Sequence, residues 1–135
     1  MAEAVHTGGC LCGAVRYSAR APLGNATICH CDMCRKAAGA PWMAFVVVTR
    51  DQVEFTGEPR ALYRSSAIAS RGFCGRCGTA LTWEGDKHPD MVDIAIATLD
   101  EPARVPPTDQ IFAAEAIGWA QDLSTLPSYP GHRTA

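Results

Sequence analysis

Seven cysteines dominate this 135-residue chain. They fall as Cys10-Leu11-Cys12, Cys29-His30-Cys31-Asp32-Met33-Cys34 and Cys74-Gly75-Arg76-Cys77. Residues two or three apart seldom meet disulfide geometry but readily turn their thiolates towards one metal ion. A closed structural zinc site takes four protein ligands, whereas a site meant for chemistry keeps one position for water or substrate. Four ligands plus three account for every cysteine, so the pattern predicts two zinc ions. The other reading of the thiols is one zinc with unrelated redox cysteines.

Cys10 and Cys12 precede Cys74 and Cys77 by about 60 residues, and a metal joining them closes a long loop. This group reads as a structural site whose binding energy contributes to folding. Gly13, Gly75 and Gly78 around it allow backbone angles that turn amides towards sulfur. Cys29, Cys31 and Cys34 form the compact second site. Their fourth position is either open for chemistry or filled by His30, His88 or a carboxylate. His30 lies between two ligands, so in extended chain its side chain points away from theirs. Sulfur ligands favour zinc and make it a modest Lewis acid, better suited to capturing a thiol than to hydrolysing a strong bond. Arg35 and Lys36 follow directly. They either offset the negative charge of the thiolates or receive a substrate carboxylate, for which Arg35 has the better geometry.

The remaining composition narrows the class. Twelve basic against 14 acidic residues, a net charge of -2, provide no broad basic field for nucleic acid. The apolar run from Ala37 to Val48 contains Pro41 and is too short to span a membrane. The first residues lack the charged and apolar regions of a signal peptide, and reduced thiols then predict a cytoplasmic chain. Strands are expected at Ala14–Ala19, Trp42–Thr49, Val53–Thr56, Ala61–Tyr63, Ser70–Phe73, Ala80–Trp83, Val92–Thr98 and Ile111–Ala114. A short helix is expected at Asp32–Ala38, stopped by Gly39 and Pro41. Pro102, Pro106 and Pro107 mark a stiff connector. The chain therefore reads as mainly β, one domain over residues 1–135 with its core at about 6–129. Trp42, Phe45, Phe73, Trp83 and Trp119 are candidates for either core or pocket.

The stretches Gly9 to Tyr17, Cys29 to Lys36 and Arg71 to Trp83, with Tyr63-Arg64-Ser65-Ser66, Trp119 and Leu126-Pro127-Ser128-Tyr129, resemble the glutathione-dependent formaldehyde-activating enzyme family, shared with centromere protein V. The resemblance implies a zinc-binding β-tent and a carbon-sulfur lyase activity that joins glutathione to formaldehyde as S-hydroxymethylglutathione. Its zinc ligands match Cys10, Cys12, Cys74 and Cys77, and then Cys29, Cys31 and Cys34. The partners it implies are a small-molecule thiol and an aldehyde, and glutathione carboxylates are the ligands expected at Arg35 and Lys36. Many members have a His-Ile pair where this chain has Gln110-Ile111. A zinc-stabilised protein-interaction module and a glutathione-adduct enzyme with another electrophile are the alternatives.

Overall fold

A computed structural model describes residues 4–133, so the ends of the expected 1–135 span lie outside the described residues. Ten strands and one helix follow in order: β1 Val5–Gly9, β2 Val15–Arg20, β3 Ala26–Cys29, α1 Asp32–Ala38, β4 Met43–Thr49, β5 Val53–Gly57, β6 Ala61–Ser66, β7 Ala69–Phe73, β8 Ala80–Gly85, β9 Met91–Ala95 and β10 Asp109–Ile111. The chain is mainly β, as expected. Strands β1, β2 and β5 form a small sheet, and the order β10-β3-β4-β9-β8-β7-β6 forms a seven-stranded one. All pairings are antiparallel except β10 with β3.

Strand alternation builds the core between the sheets. Val15, Tyr17 and Ala19 point inward from β2 and meet Val46, Val48, Val92, Ile94 and Leu81 of the large sheet. Tyr17 carries its hydroxyl into this layer and bonds Thr98 Oγ1 at 2.7 Å, so the buried polar atom is satisfied. Arg60 stacks over Phe55 of the small sheet, 3.7 Å from the ring centroid, and pairs with Glu84 of the large one.

The large sheet is also covered on part of its other face. There Cys29, Cys34, Met43, Phe45 and Ala95 form a second buried cluster with Trp83 and Ala38 against it. Helix α1 supplies the cover. Cys31 caps its N-terminus, accepting the Cys34 amide at 3.4 Å, and Gly39 ends it with a left-handed φ of 62°. Strands β1 and β3 lie outside the expected set, the expected Ala61–Tyr63 strand runs on to Ser66, and two other expected strands end early. The run to Thr98 leaves the sheet after Ala95 and turns as a 3-10 segment, and the expected Ile111–Ala114 strand ends at Ile111, where Phe112 is left-handed at φ 53°.

Candidate metal centre and the cavity above it

The long-range cysteine group assembles at the end of the small sheet. Cys10, Cys12, Cys74 and Cys77 bring their sulfurs within 4.8 Å of one another. Cys10 to Cys12 is 3.6 Å and Cys12 to Cys74 is 3.8 Å. A tetrahedron of zinc–sulfur bonds of about 2.3 Å has edges of about 3.8 Å, so the donor set fits such an ion. Amides turn towards the sulfurs: Val15 N donates to Cys10 at 3.3 Å, and Arg76 N and Cys77 N each donate to Cys74 at 3.4 Å. The Thr79 hydroxyl meets Cys77 at 3.2 Å, and hydrogen bonding from Thr79 draws the Cys77 thiol down to about 5. Such donors stabilise thiolate over thiol.

Cys29, Cys31 and Cys34 also place their sulfurs within 4.8 Å of one another, with Cys29 and Cys31 3.4 Å apart. Cys29 ends β3, Cys31 caps α1 and Cys34 lies in its first turn, so a strand end and a helix start fix all three. Cys29 and Cys34 are buried, and burial pushes both thiols up in pKa. This three-sulfur set also fits a soft cation. Among the described residues no histidine or carboxylate joins either group.

A cavity of about 350 Å³ opens against the triplet. Its floor is the outer face of the large sheet, with Thr27, Phe45, Asp93, Trp83 and Arg71. Met33, Ser66, Ile68, Ile111 and Phe112 complete the lining. The Glu115 carboxylate holds the turn beyond Phe112 to the start of α1 by accepting the Asp32 amide at 3.3 Å. Arg71 Nη2 lies 3.5 Å from Cys34 Sγ, while its Nε and Nη1 are buried without a hydrogen-bond partner. Asp93 is half-buried, and desolvation raises its pKa to about 6. Of the other hollows, those of about 390 Å³ beside His30 and Trp42 and about 570 Å³ beside Arg104 and Val105 contain no cysteine, whereas one of about 450 Å³ beside Ala40 and Thr98 has Cys77 of the first group in its wall.

Arg35 and Lys36 do not line this cavity. Successive helical residues are about 100° apart, so the positions after Cys34 rotate away from its face. Arg35 Nε donates to the His30 carbonyl at 3.1 Å, and Lys36 is exposed. Alternation also turns His30 and Gln110 from the sulfurs; they bond each other at 2.7 Å, while the neighbouring Ile111 enters the cavity lining. Of the aromatic candidates, Phe45 and Trp83 line the cavity, Trp42 packs by His30 and Trp119 is exposed.

A mainly β domain with two sulfur groups able to hold metal, the three-sulfur group with all its members in one cavity wall, defines the class as a cysteine-rich metal-site protein. Residues 5–115 match the family described as glutathione-dependent formaldehyde-activating enzyme, and the chain belongs to it. An uncharacterized lyase of Schizosaccharomyces pombe is 33% identical over 90 residues, 65% of each chain. A Halomonas elongata protein named "Putative glutathione-dependent formaldehyde-activating enzyme" is 29% identical over 109 residues, 74% of this chain and 69% of that one. The alignment thus spans just under two thirds of the yeast protein. A crystal structure of a Rhodobacter sphaeroides protein shares the fold at TM-score 0.61 and 21% identity, covering 77% of this chain and 98% of that one. No helix among the described residues is long and apolar enough to cross a membrane.

Proposed function

We propose that the protein adds a thiol, glutathione in the first instance, to formaldehyde or a related small aldehyde, giving an S-hydroxymethyl adduct. This is a carbon-sulfur lyase reaction in its synthetic direction. The observation that carries the reading is the three-sulfur group at the wall of a largely apolar cavity that also contains one cation, Arg71. A zinc ion held by Cys29, Cys31 and Cys34 would supply an open position that holds a substrate thiol as thiolate near neutral pH. Cys10, Cys12, Cys74 and Cys77 would hold a second, structural zinc. The seven free thiols favour a reducing compartment, the cytoplasm.

The chemistry then asks little of the chain beyond placement. The thiol gives its proton to solvent as it binds, the thiolate lone pair forms the carbon–sulfur bond, the carbonyl π pair moves to oxygen, and that oxygen takes a proton back from solvent at the cavity mouth, so no net proton is exchanged. Arg71, beside Cys34, is positioned to attract the oxygen as its charge develops. Phe45, Trp83, Ile111 and Phe112 supply apolar walls that hold both reactants together. Arg35 and Lys36 retain a role only in offsetting charge outside the cavity. The concave site favours an enzyme over a non-catalytic interaction module.

Elemental analysis of protein purified without added metal should give two zinc ions per chain. Magnetisation-exchange NMR of glutathione and formaldehyde should show exchange that rises with protein concentration and disappears in Cys31→Ser. Glutathione should bind far more tightly than S-methylglutathione, which cannot become a thiolate. Exchange no faster than in buffer, with glutathione still bound, would identify formaldehyde as the wrong electrophile and leave a different glutathione-adduct reaction.

A further inference from the structure

Asp93 is the one carboxylate in the cavity lining. It has no hydrogen bond or ion pair among the described residues; desolvation raises its pKa, and His88 acts in the opposite sense. A half-buried carboxylate in apolar walls is costly to hold without a counter-charge. In a cavity that takes a ligand, the counter-charge can arrive with that ligand.

The register fixes where that charge must lie. Val47, Asp93, Trp83, Arg71 and Tyr63 are consecutive partners across β4, β9, β8, β7 and β6, so they form one row on the cavity face. Cys29 pairs instead with Met43, four residues before Val47. That is about 13 Å along the strands, and β3 lies a further two strand spacings, about 10 Å, to the side of β9, so the Cα atoms of Cys29 and Asp93 are about 16 Å apart. Arg71 crosses the gap by reaching Cys34, whereas the shorter Asp93 stays at the end remote from the sulfurs. In glutathione the amino group is eight bonds from sulfur, about 10 Å when extended, and the side chains of the cysteines and of Asp93, both in the cavity lining, cover the rest. Arg71 is too near the sulfurs for the carboxylates of the same ligand and remains available to the aldehyde oxygen.

We propose that Asp93 receives the α-ammonium group of the thiol substrate and makes the protein selective for thiols that carry a cation at that distance, the γ-glutamyl thiols. The inference rests on thiol binding at Cys29, Cys31 and Cys34 as read above, but not on the identity of the aldehyde. Asp93 is a specificity residue at the far end of the substrate, and the reacting atoms lie near Arg71.

Calorimetry on the zinc-loaded protein at pH 7.5, with glutathione and with deaminoglutathione, tests this without any variant. Wild type should prefer glutathione by about 10- to 100-fold, the usual worth of a hydrogen bond between charged groups. In Asp93→Asn the two ligands should bind within about twofold of each other, glutathione having lost affinity and deaminoglutathione not. The preference should also fade as pH falls through about 6, where Asp93 protonates. Arg71 and the three cysteines face both ligands alike and cancel in the ratio, and His88→Gln, measured in parallel, should keep the pH dependence. Equal affinities in wild type, or a preference that survives in Asp93→Asn, would overturn the proposal. So would unchanged affinity with slower exchange at saturating glutathione, because that result makes Asp93 a proton donor. If formaldehyde is the wrong electrophile, exchange is absent while the calorimetric preference remains.

Discussion

Replacing one ligand in each cysteine group should separate a long-range staple from a local clip. Cys77 and Cys31 make a fair pair, since both are half-buried. Serine is the better replacement, because its hydroxyl can still cap α1 where Cys31 Sγ now accepts the Cys34 amide. The first group ties residues 62 positions apart, Cys12 and Cys74, while the second spans only Cys29 to Cys34. Loop-closure entropy grows as (3/2)RT times the logarithm of loop length, so the ratio of these spans makes the long staple worth about 2 kcal/mol more. For a domain of this length that is about 7 °C in melting temperature. Thermal melts by circular dichroism on zinc-loaded protein, with metal content measured on each sample, give the comparison. Cys77→Ser should melt about 7 °C below Cys31→Ser, and the local variant should keep its strand signal with one zinc fewer. Equal melting temperatures, with each variant lacking one zinc, would refute the division of labour.

Three further outcomes follow from the geometry. Gly57 has φ 78°, and a Cβ there would collide with the Ala14 carbonyl, whereas Gly13, at φ 83°, has open space; Gly57→Ala should cost about 3 kcal/mol in urea denaturation against about 1 for Gly13→Ala. Hydrogen bonds from Arg16 and then Thr7 hold the Asp100 carboxyl down to about 2. A carbon-13 NMR titration should find that midpoint, moved up towards the ordinary value in Arg16→Gln; the stability it contributes is present above pH 4 and lost as pH falls through 2. Asp93 has the opposite sign: its raised pKa means its contribution is present below the ordinary 3.8 and lost as pH rises through about 6. Asp93→Asn should therefore melt higher than wild type at pH 7.5 without thiol, and the gain should vanish at pH 4.

Legibility followed the range over which each feature is determined. The cysteine groups could be read because knuckle spacing is local and sulfur count limits the pairing. Helix α1 was equally clear, with Asp32 at its start and Gly39 ending it. Strand β1 was not, because Gly8-Gly9 has poor strand propensity. The tertiary reason for Gly8 is the Tyr17 ring, which occupies the space a Cβ would need. The apolar period of β9 continues through Ile96, yet the chain turns there as Thr98 Oγ1 donates to the Ala95 carbonyl at 2.7 Å. Alternation assigns Asp93 to the face opposite Val92 and Ile94. Only the topology shows that α1 and the turn at Phe112 enclose part of that face. Arg35 and Lys36 drew attention by adjacency to Cys34, but a helix converts adjacency into rotation. Arg71, 37 residues from Cys34 in sequence, could be found only through the register.

That register also explains how one small cavity keeps two opposite charges usable. Arg71 and Asp93 each pair with Trp83, on β7 and β9 respectively, so their Cα atoms are two strand spacings apart, about 10 Å. Directly opposed on neighbouring strands, an arginine and an aspartate would pair and neutralise each other. The Trp83 indole occupies the intervening position instead, and no ion pair joins the two among the described residues. Arg71 therefore faces the sulfur end and Asp93 the remote end of an apolar chamber, where either charge acts more strongly than in water. Exchanging the indole for a small side chain should let them meet. Trp83→Ala should draw the Asp93 carboxyl down from about 6 and erase the preference for glutathione over deaminoglutathione, even though Asp93 itself is untouched. If the preference survives, the spacing by Trp83 is not what keeps Asp93 free for the ligand.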